Sequence, residues 1–285
     1  MNRAALALAL TSSLLFAGEK FDYAQGRQVC ALANQAVDES SGIAASRLTP
    51  GVFWTHNDSG DQPRLYAFNA KGEDLAVITV EGAISRDWED MASFTRGGKA
   101  FLVVADIGDN DSERDFCTLY LIPEPRLDPA KHGVRGKVRA EALDFRYEDG
   151  PHDCEAVAVD PTSKTIFLIT KALAGKCRAY AIENPKSGPA LLVAKAVATP
   201  KVPIVTAMDV SPDGLRAIVL TYGNAFEYTR GPDEKWAAAF AREPRAVSMP
   251  PRRQGEAICY GPDGKTLYLT SEGAPCPLFE VPVAK

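Results

Sequence analysis

The sequence repeats one short motif five times, and this repetition constrains the fold more than any other feature. Three copies place a glutamate ahead of a short apolar run: RDWEDMA at 86–92, HDCEAVA at 152–158 and RQGEAIC at 253–259. Two more keep the apolar run without the glutamate, ESSGIA at 39–44 and IVTAMD at 204–209. Self-similarity along a chain is the signature of a repeat architecture. We therefore expect five copies of one supersecondary unit, each beginning with a buried strand.

The spacing of the motifs fits a four-stranded unit. Five positions are equivalent when the copies are aligned: Ser41, Glu89, Glu155, Thr206 and Glu256. The intervals between them are 48, 66, 51 and 50 residues. After each motif the chain reads as a tight turn followed by strands rich in β-branched and aromatic residues, which matches a propeller blade in length. The sequence predicts an all-β, five-bladed β-propeller of four-stranded blades, as a single domain over 18–285.

The last unit lacks a fourth predicted strand. An unused strand segment at 27–37 precedes the first unit and can supply it. Closing one blade with both chain ends leaves only short, protected sheet edges. The long second interval contains a Pro- and charge-rich excursion at 123–137, between the third and fourth strands of its unit. Two packed sheets are the alternative fold, but they give no reason for five matched motifs.

The first residues indicate the compartment. Residues 1–17 combine Arg3 with an uncharged apolar run, which is typical of a secretory signal peptide; an uncleaved N-terminal anchor is the alternative. We expect a secreted or periplasmic monomer with no membrane span after the signal is removed. The net charge of −5 excludes general binding to nucleic acid, which needs a basic surface.

Six cysteines fit an oxidising compartment, where disulfides form and persist. None forms a C-x-x-C pair, so a zinc or redox motif has no support. Cys154 precedes the glutamate of the third unit, and Cys177 follows a short loop at the same predicted face, so we expect a disulfide between them. Cys259 and Cys276 are the matching pair in the fifth unit. The remaining two cysteines fall in different units and have no assigned partner.

Three glutamates are expected at one end of the central channel. The first strand of each blade lines this channel, so Glu89, Glu155 and Glu256 should surround one mouth, with Ser41 and Thr206 completing the ring. Neighbouring buried carboxylates repel each other and lose solvation unless they are protonated or a cation offsets them. Ca²⁺ suits such a site because it takes six to eight oxygen ligands. The sequence predicts a calcium site at the three glutamates; the alternatives are bonds to loop amides and arginines, or direct catalysis.

Other polar residues fall at the same predicted face. Six are candidates for binding a substrate: Asn57, Arg86, Lys171, Tyr222, Arg253 and Glu272. Asp106 and His152 are candidates for positioning or deprotonating a water molecule. A cation surrounded by basic side chains suits a small anionic ligand, such as a phosphoester, which the cation would polarise.

Several of these segments resemble known families. SSGIA at 40–44, WTHNDSG at 54–60, DWEDMA at 87–92 and ADIGDN at 105–110 resemble a set of bacterial secreted propeller proteins of unassigned function. The Ser-Gly-Ile and Glu-Ala-Ile starts are also similar to the SdiA-regulated family and to the esterase-like phytase propellers. The resemblance spans 39–281. It implies a propeller with calcium at the three glutamates, and the serine and threonine of the ring depart from it.

Three functions stay open at this point. The first is a metal-assisted hydrolase of phosphoesters or other esters. The second is a non-catalytic module that binds an extracellular peptide or glycan at the same mouth. The third is a glycoside hydrolase, which needs two carboxyl groups at a defined separation. The fold alone does not choose among them.

Overall fold

The structure, a computed structural model, describes residues 19–173, 175–185, 188 and 190–285. The signal peptide predicted at 1–17 lies outside these residues. The described chain consists of β-strands and one short helix, so the all-β prediction is confirmed. No helix in this part of the chain is long and apolar enough to cross a membrane.

The strands follow the repeat. The chain begins with β1 (Arg27–Ala31). The first unit contains β2 (Ser40–Ala45), β3 (Val52–Asn57), β4 (Arg64–Asn69) and β5 (Asp74–Glu81). The second contains β6 (Trp88–Arg96), β7 (Lys99–Asp106), β8 (Cys117–Pro123), β9 (Val134–Arg139) and β10 (Glu141–Tyr147). The third contains β11 (Cys154–Val159), β12 (Ile166–Thr170), β13 (Ala179–Ile182) and β14 (Leu192–Ala198). The fourth contains β15 (Val205–Val210), β16 (Arg216–Thr221), β17 (Ala225–Thr229), α1 (Trp236–Phe240) and β18 (Arg245–Val247), and the fifth contains β19 (Gly255–Tyr260), β20 (Leu267–Ser271) and β21 (Pro277–Val281).

The five motif strands, β2, β6, β11, β15 and β19, form a closed ring. Each packs against the next, and β19 packs against β2. Hydrogen bonds across the ring join them. The buried carboxylate of Asp90 in β6 accepts the backbone N–H groups of Met91 (2.8 Å), Val157 in β11 (2.8 Å) and Met208 in β15 (3.1 Å). Buried polar groups need such partners, so this one side chain fixes three inner strands relative to each other.

The sheets differ from five separate four-stranded blades. They have orders β2-β3-β4-β5-β9, β15-β16-β17-β18 and β19-β20-β21-β1, and an eight-stranded sheet joins the second and third units. Two departures explain this count. Strand β9 leaves the second unit and pairs in parallel with β5 of the first unit. Strand β10 pairs antiparallel with β8 and also in parallel with β14 of the third unit.

The last unit is completed by the N-terminal strand. Strand β1 pairs antiparallel with β21, with Arg27 opposite Glu280 and an ion pair of 2.6 Å between their side chains. Only 27–31 of the predicted segment 27–37 is strand. The N-terminal strand therefore takes the place of the missing fourth strand, as the sequence predicts.

The hydrophobic core lies between neighbouring units rather than inside any one of them. Trp54 of the first unit packs in one cluster with Trp88 and Met91 of the second, and each of the three is almost wholly buried. Similar clusters fill the other interfaces. A single sheet cannot bury both of its faces, so each unit depends on its neighbours.

The predicted disulfides are wrong, because all six cysteines are unpaired. Cys154 belongs to the core between the second and third units, and Cys177 to the core between the third and fourth. Each thiol points to a backbone carbonyl at 3.2 Å. Cys259 and Cys276 share one cluster, but the Cys276 thiol faces a backbone carbonyl at 3.5 Å. Cys154 and Cys177 therefore direct their thiols into two different cores, on opposite faces of the sheet of the third unit.

Candidate functional site

Each inner strand begins with a β-bulge at the aligned motif position. In all five pairings with the second strand of the unit, the register skips one residue: Ser41, Glu89, Glu155, Thr206 and Glu256. A bulge leaves its extra residue unpaired, bends the strand and re-aims the side chain. The alignment made from the sequence therefore identifies one structural position repeated five times around the ring.

The two hydroxyl residues of this ring connect neighbouring inner strands. The Ser41 hydroxyl donates to the backbone carbonyl of Glu89 at 2.6 Å. The Thr206 hydroxyl donates to the backbone carbonyl of Gly255 at 2.9 Å. Both side chains thereby satisfy a buried carbonyl of the next strand. The three glutamates have different surroundings, and each is held in its own way.

Glu89 lies in a cluster of three carboxylates. One oxygen each of Asp58, Asp87 and Glu89 lie within 4.8 Å of one another. Asp58 comes from the loop after β3, whereas Asp87 immediately precedes β6. The Glu89 side chain is buried, at 6% exposure, and its carboxylate has no hydrogen-bond donor among the described residues. No other group of three His, Cys, Asp or Glu side chains in the described ranges comes this close together.

The cluster is electrostatically unfavourable without a cation. Burial, and then the charge of Glu155, raise the pKa of Glu89 well above its ordinary value. Burial, and then the charge of Asp58, raise the pKa of Asp87 to about 6. Burial also raises the pKa of Asp58. These shifts arise when carboxylates are desolvated side by side, and a bound cation would reverse them.

Gly108 leaves the room that these carboxylates occupy. A Cβ at this position would lie 2.2 Å from Glu89 Oε1 and 2.4 Å from Asp87 Oδ2. The Gly108 backbone N–H also approaches the carbonyl oxygen of Asp87 at 3.3 Å. The loop after β7 therefore passes directly over the two side chains, and any side chain at this position would require the two carboxylates to shift. A donor set made of carboxylate oxygens is the kind that hard cations take.

Glu155 is paired with a cation of the protein. The Lys171 ammonium forms an ion pair with Glu155 and lies 5.2 Å from the ring centroid of Tyr222. Burial nevertheless raises the pKa of Glu155 to about 8, against the lowering effect of Lys171. Tyr222 is 41% exposed, so its ring faces solvent beside the acidic groups. Lys171 and Tyr222, both predicted to bind substrate, are thus neighbours at this end of the ring.

Glu256 is held by an amide instead of a cation. Gln254 Nε2 donates to Glu256 Oε1 at 2.5 Å and to Glu272 Oε1 at 3.0 Å. Burial raises the pKa of Glu256 to about 7, against the Gln254 hydrogen bond and the Lys171 charge. Burial lowers the pKa of Arg252, although the nearby Glu256 charge raises it, and the Arg252 guanidinium donates to the Thr221 and Gly223 carbonyls at 2.8 and 2.9 Å. It therefore supports the loop that carries Tyr222.

The other three predicted binding residues are placed differently. Arg86 and Arg253 are exposed, and the described residues offer no side-chain hydrogen bond or ion pair to either. Asn57 is buried, and its amide donates to the Ala36 carbonyl at 2.7 Å and to Asp38 at 3.2 Å. Asn57 therefore secures the loop that carries Asp58.

The two predicted proton-transfer residues are engaged in other contacts. Asp106 is buried, pairs with Arg114 at 2.7 Å, and accepts the Arg86 backbone N–H at 3.1 Å. His152 Nε2 lies 3.0 Å from Asp149 and 2.7 Å from the Tyr180 hydroxyl. The structure therefore ties Asp106 to the loop after β7 and packs the His152 ring against Tyr147 of the second unit and Tyr180 of the third.

The sequence reasoning missed Asp58, Asp87, Gly108 and Gln254. The sequence carried a signal for two of them. Asp58 lies in the NDSG turn signature at 57–60, and Asp87 directly precedes the second motif strand. The repeat predicted a site made of three equivalent glutamates. The observed cluster instead combines Glu89 of the ring with Asp58 and Asp87, which lie outside the strands.

No family model and no curated protein matches the chain. Among solved structures, a gluconolactonase from Xanthomonas campestris is similar with a TM-score of 0.51 and 11% identity, covering 91% of this chain and 89% of that one. A hydrazine synthase from Kuenenia stuttgartiensis is similar with a TM-score of 0.45 and 15% identity, over 82% of this chain and 56% of that one. The likeness to the gluconolactonase shows that this chain has a propeller-like fold.

Proposed function

We propose that this chain is an exported, calcium-dependent hydrolase of small esters, with lactones and phosphoesters as the substrate classes to test. In this proposal the fold is a five-bladed propeller whose second and third blades share one sheet, a view supported by the five bulges and the closed ring. Asp58, Asp87 and Glu89 hold the ion. The cluster of these three carboxylates is the observation that carries the proposal.

The residues present fit Ca²⁺. Glu89 is buried without a donor, and Gly108 leaves space for the carboxylates. Ca²⁺ accepts mixed carboxylate, carbonyl and water ligands in a flexible geometry. When bound, it would polarise the carbonyl or phosphoryl oxygen of an ester.

The side chains around the cluster suit an anionic or polar substrate. Lys171 uses one of its three N–H donors on Glu155 and keeps others for a substrate oxygen. The exposed ring of Tyr222 offers a flat apolar surface next to that ammonium. We assign to Lys171 the binding of a negatively charged or carbonyl oxygen, and to Tyr222 a contact with the body of the substrate. Arg252 holds the Tyr222 loop in place.

The similarity to a gluconolactonase supports the choice of test substrates. Lactone hydrolysis is ester hydrolysis within a ring, so it requires the same polarised carbonyl and activated water. At 11% identity the likeness extends to the fold alone, and the assignment to ester chemistry therefore depends on the carboxylate cluster.

The test combines binding and turnover. Chelator-stripped protein spanning 18–285 is titrated with Ca²⁺ by calorimetry, with thermal unfolding alongside. A panel of gluconolactone, phenyl acetate and p-nitrophenyl phosphate is then assayed with calcium and with chelator. We expect saturable binding, a higher melting temperature with calcium, and turnover that the chelator removes. Absence of binding at millimolar calcium would contradict the proposal.

Two variants locate the ion. Asp87→Asn removes one ligand charge with almost no change in shape, and calcium affinity should fall at least tenfold, which is about 1.4 kcal/mol. Asp115→Asn is the matched control, because Asp115 is exposed and lies in the loop after β7. It removes the same charge outside the cluster and should leave the affinity within about twofold.

A binding module is the second candidate, favoured by the exposed Tyr222 ring beside Lys171. It predicts calcium binding without turnover on the whole panel, and retention of a peptide or glycan from culture medium. A glycoside hydrolase would instead release sugar from a glycan, and this release would continue in the presence of chelator.

A further inference from the structure

The three glutamates of the ring share one backbone position but have three different surroundings. Glu89 joins Asp58 and Asp87 in the carboxylate cluster. Glu155 forms an ion pair with Lys171. Glu256 contacts neither a cation nor that cluster among the described residues, and its one side-chain donor is an amide. Equivalent carboxyl groups in unequal environments take unequal chemical roles.

We infer that Glu256 is the general base that activates water in the proposed ester hydrolysis, and that Gln254 positions it. This inference rests on the proposed function. The bulge points Glu256 away from the strand ladder, and Gln254 Nε2 fixes Oε1 at 2.5 Å. The other oxygen has no donor in the described part of the chain and is available to a water. Glu89 and Glu155 cannot serve equally well, because one belongs to the cation cluster and the other is neutralised by Lys171.

The charged and titratable groups facing Glu256 come from the first, third, fourth and fifth units. They are Asp58, Glu155, Lys171, Tyr222, Arg252 and Glu272. The carboxylates among them favour the protonated form of Glu256, and the ammonium and guanidinium favour the charged form. Burial is the largest influence, and it brings the pKa of Glu256 to about 7. A base with a pKa near the working pH is efficient at proton transfer.

The step balances in atoms and charge. The Glu256 carboxylate accepts one proton of a water as the water oxygen bonds to the ester carbonyl carbon. The tetrahedral adduct then collapses, and the bond from carbon to the leaving oxygen breaks. Glu256 returns its proton to the leaving alkoxide, which departs as an alcohol. The carboxylic acid product ionises and releases one proton to solvent, so Glu256 ends as it began.

The experiment is a pH profile of kcat/KM on the best ester or lactone of the panel, at saturating calcium. The wild type should show an ascending limb near pH 7. Glu256→Gln should lower kcat/KM by about 10²- to 10⁴-fold and remove this limb, with calcium affinity kept within about threefold. Glu256→Asp should restore part of the rate.

Gln254→Leu gives a second readout that a structural role would not produce. Losing the amide donor should move the ascending limb to higher pH while the maximal rate changes less. An unchanged limb in both Glu256→Gln and Gln254→Leu, with the wild type active, would overturn this inference alone. A wild type inactive on every ester would overturn it together with the proposed function. Thermal unfolding of each variant shows whether a lost rate reflects a lost fold, and Gln254→Leu then decides.

Discussion

The Gly108→Ala substitution tests the carboxylate cluster most sharply, because it adds one methyl group at a known place. The new Cβ would lie 2.2 Å from Glu89 Oε1 and 2.4 Å from Asp87 Oδ2. Nonbonded carbon and oxygen atoms need about 3.2 Å or more, so the two carboxylates must move by about 1 Å. Calcium sites hold their oxygen ligands at 2.3–2.6 Å. A displacement of about 1 Å removes one ligand or both from the ion.

We expect calcium affinity to fall at least 100-fold in Gly108→Ala, which is about 2.7 kcal/mol. The assay is calorimetric titration of chelator-stripped protein, with thermal unfolding measured without calcium. Gly223→Ala is the control, because Gly223 also lies in the loop after a second strand, and its Cβ would have one neighbour, 3.8 Å away. Its calcium affinity should match the wild type.

One result would refute the reasoning. If Gly108→Ala binds calcium as tightly as the wild type and unfolds at the same temperature, the ion does not use Glu89 and Asp87. A loss of affinity accompanied by a large drop in melting temperature in the calcium-free state would instead indicate a general disturbance of the loop. The backbone of Gly108 does not adopt a left-handed conformation, so alanine introduces no backbone strain that could produce such a drop.

Three further predictions concern a buried carboxyl group, the cysteines and the N-terminal strand. Burial raises the pKa of Glu256 to about 7 in the folded chain, against an ordinary value of 4.5. The native state therefore holds a proton that the unfolded state releases. In urea titrations, the free energy of unfolding of the calcium-free protein should decrease by roughly 2–3 kcal/mol as pH rises from 5 to 8. Added calcium should offset the loss at pH 8, and a rise with pH would contradict the buried carboxyl group. All six cysteines should react with a thiol reagent in denaturant without prior reduction, and detection of fewer thiols would reveal a bridge absent from the structure. Removing residues 19–31 exposes the edge of β21, and we expect self-association in gel filtration, whereas a stable monomer would show that β1 is dispensable.

The sequence predicted the repeat, the ring of equivalent positions and the closure by β1 because each depends on local pattern. Alternating apolar runs mark the strands, and a missing fourth strand in the last unit has one available replacement. The shared sheet of the second and third units could not be foreseen. It depends on how residues 134–147 run along the outer edges of neighbouring units. The sequence of an edge strand does not identify the strand with which it pairs.

The site was predicted in outline and missed in detail for a related reason. Periodicity identified Glu89, Glu155 and Glu256 as equivalent, and they are equivalent in backbone position. Their surroundings differ because loop residues from different units contact each glutamate. These are tertiary contacts, which sequence periodicity does not predict. His152 shows the same limit, since its contacts with Asp149 and Tyr180 follow from packing in the third unit.

The pairing of β1 with β21 has a consequence for the order in which the chain folds. Arg27 and Glu280 are 253 residues apart in sequence, so the first strand to be synthesised is the last to find its partner. Contacts between distant segments slow folding, because the intervening chain must be ordered first. The last unit can therefore be completed only when both ends of the chain are free to meet. If the chain is exported before it folds, as the proposed function assumes, this delay keeps residues 27–31 unpaired until transport ends.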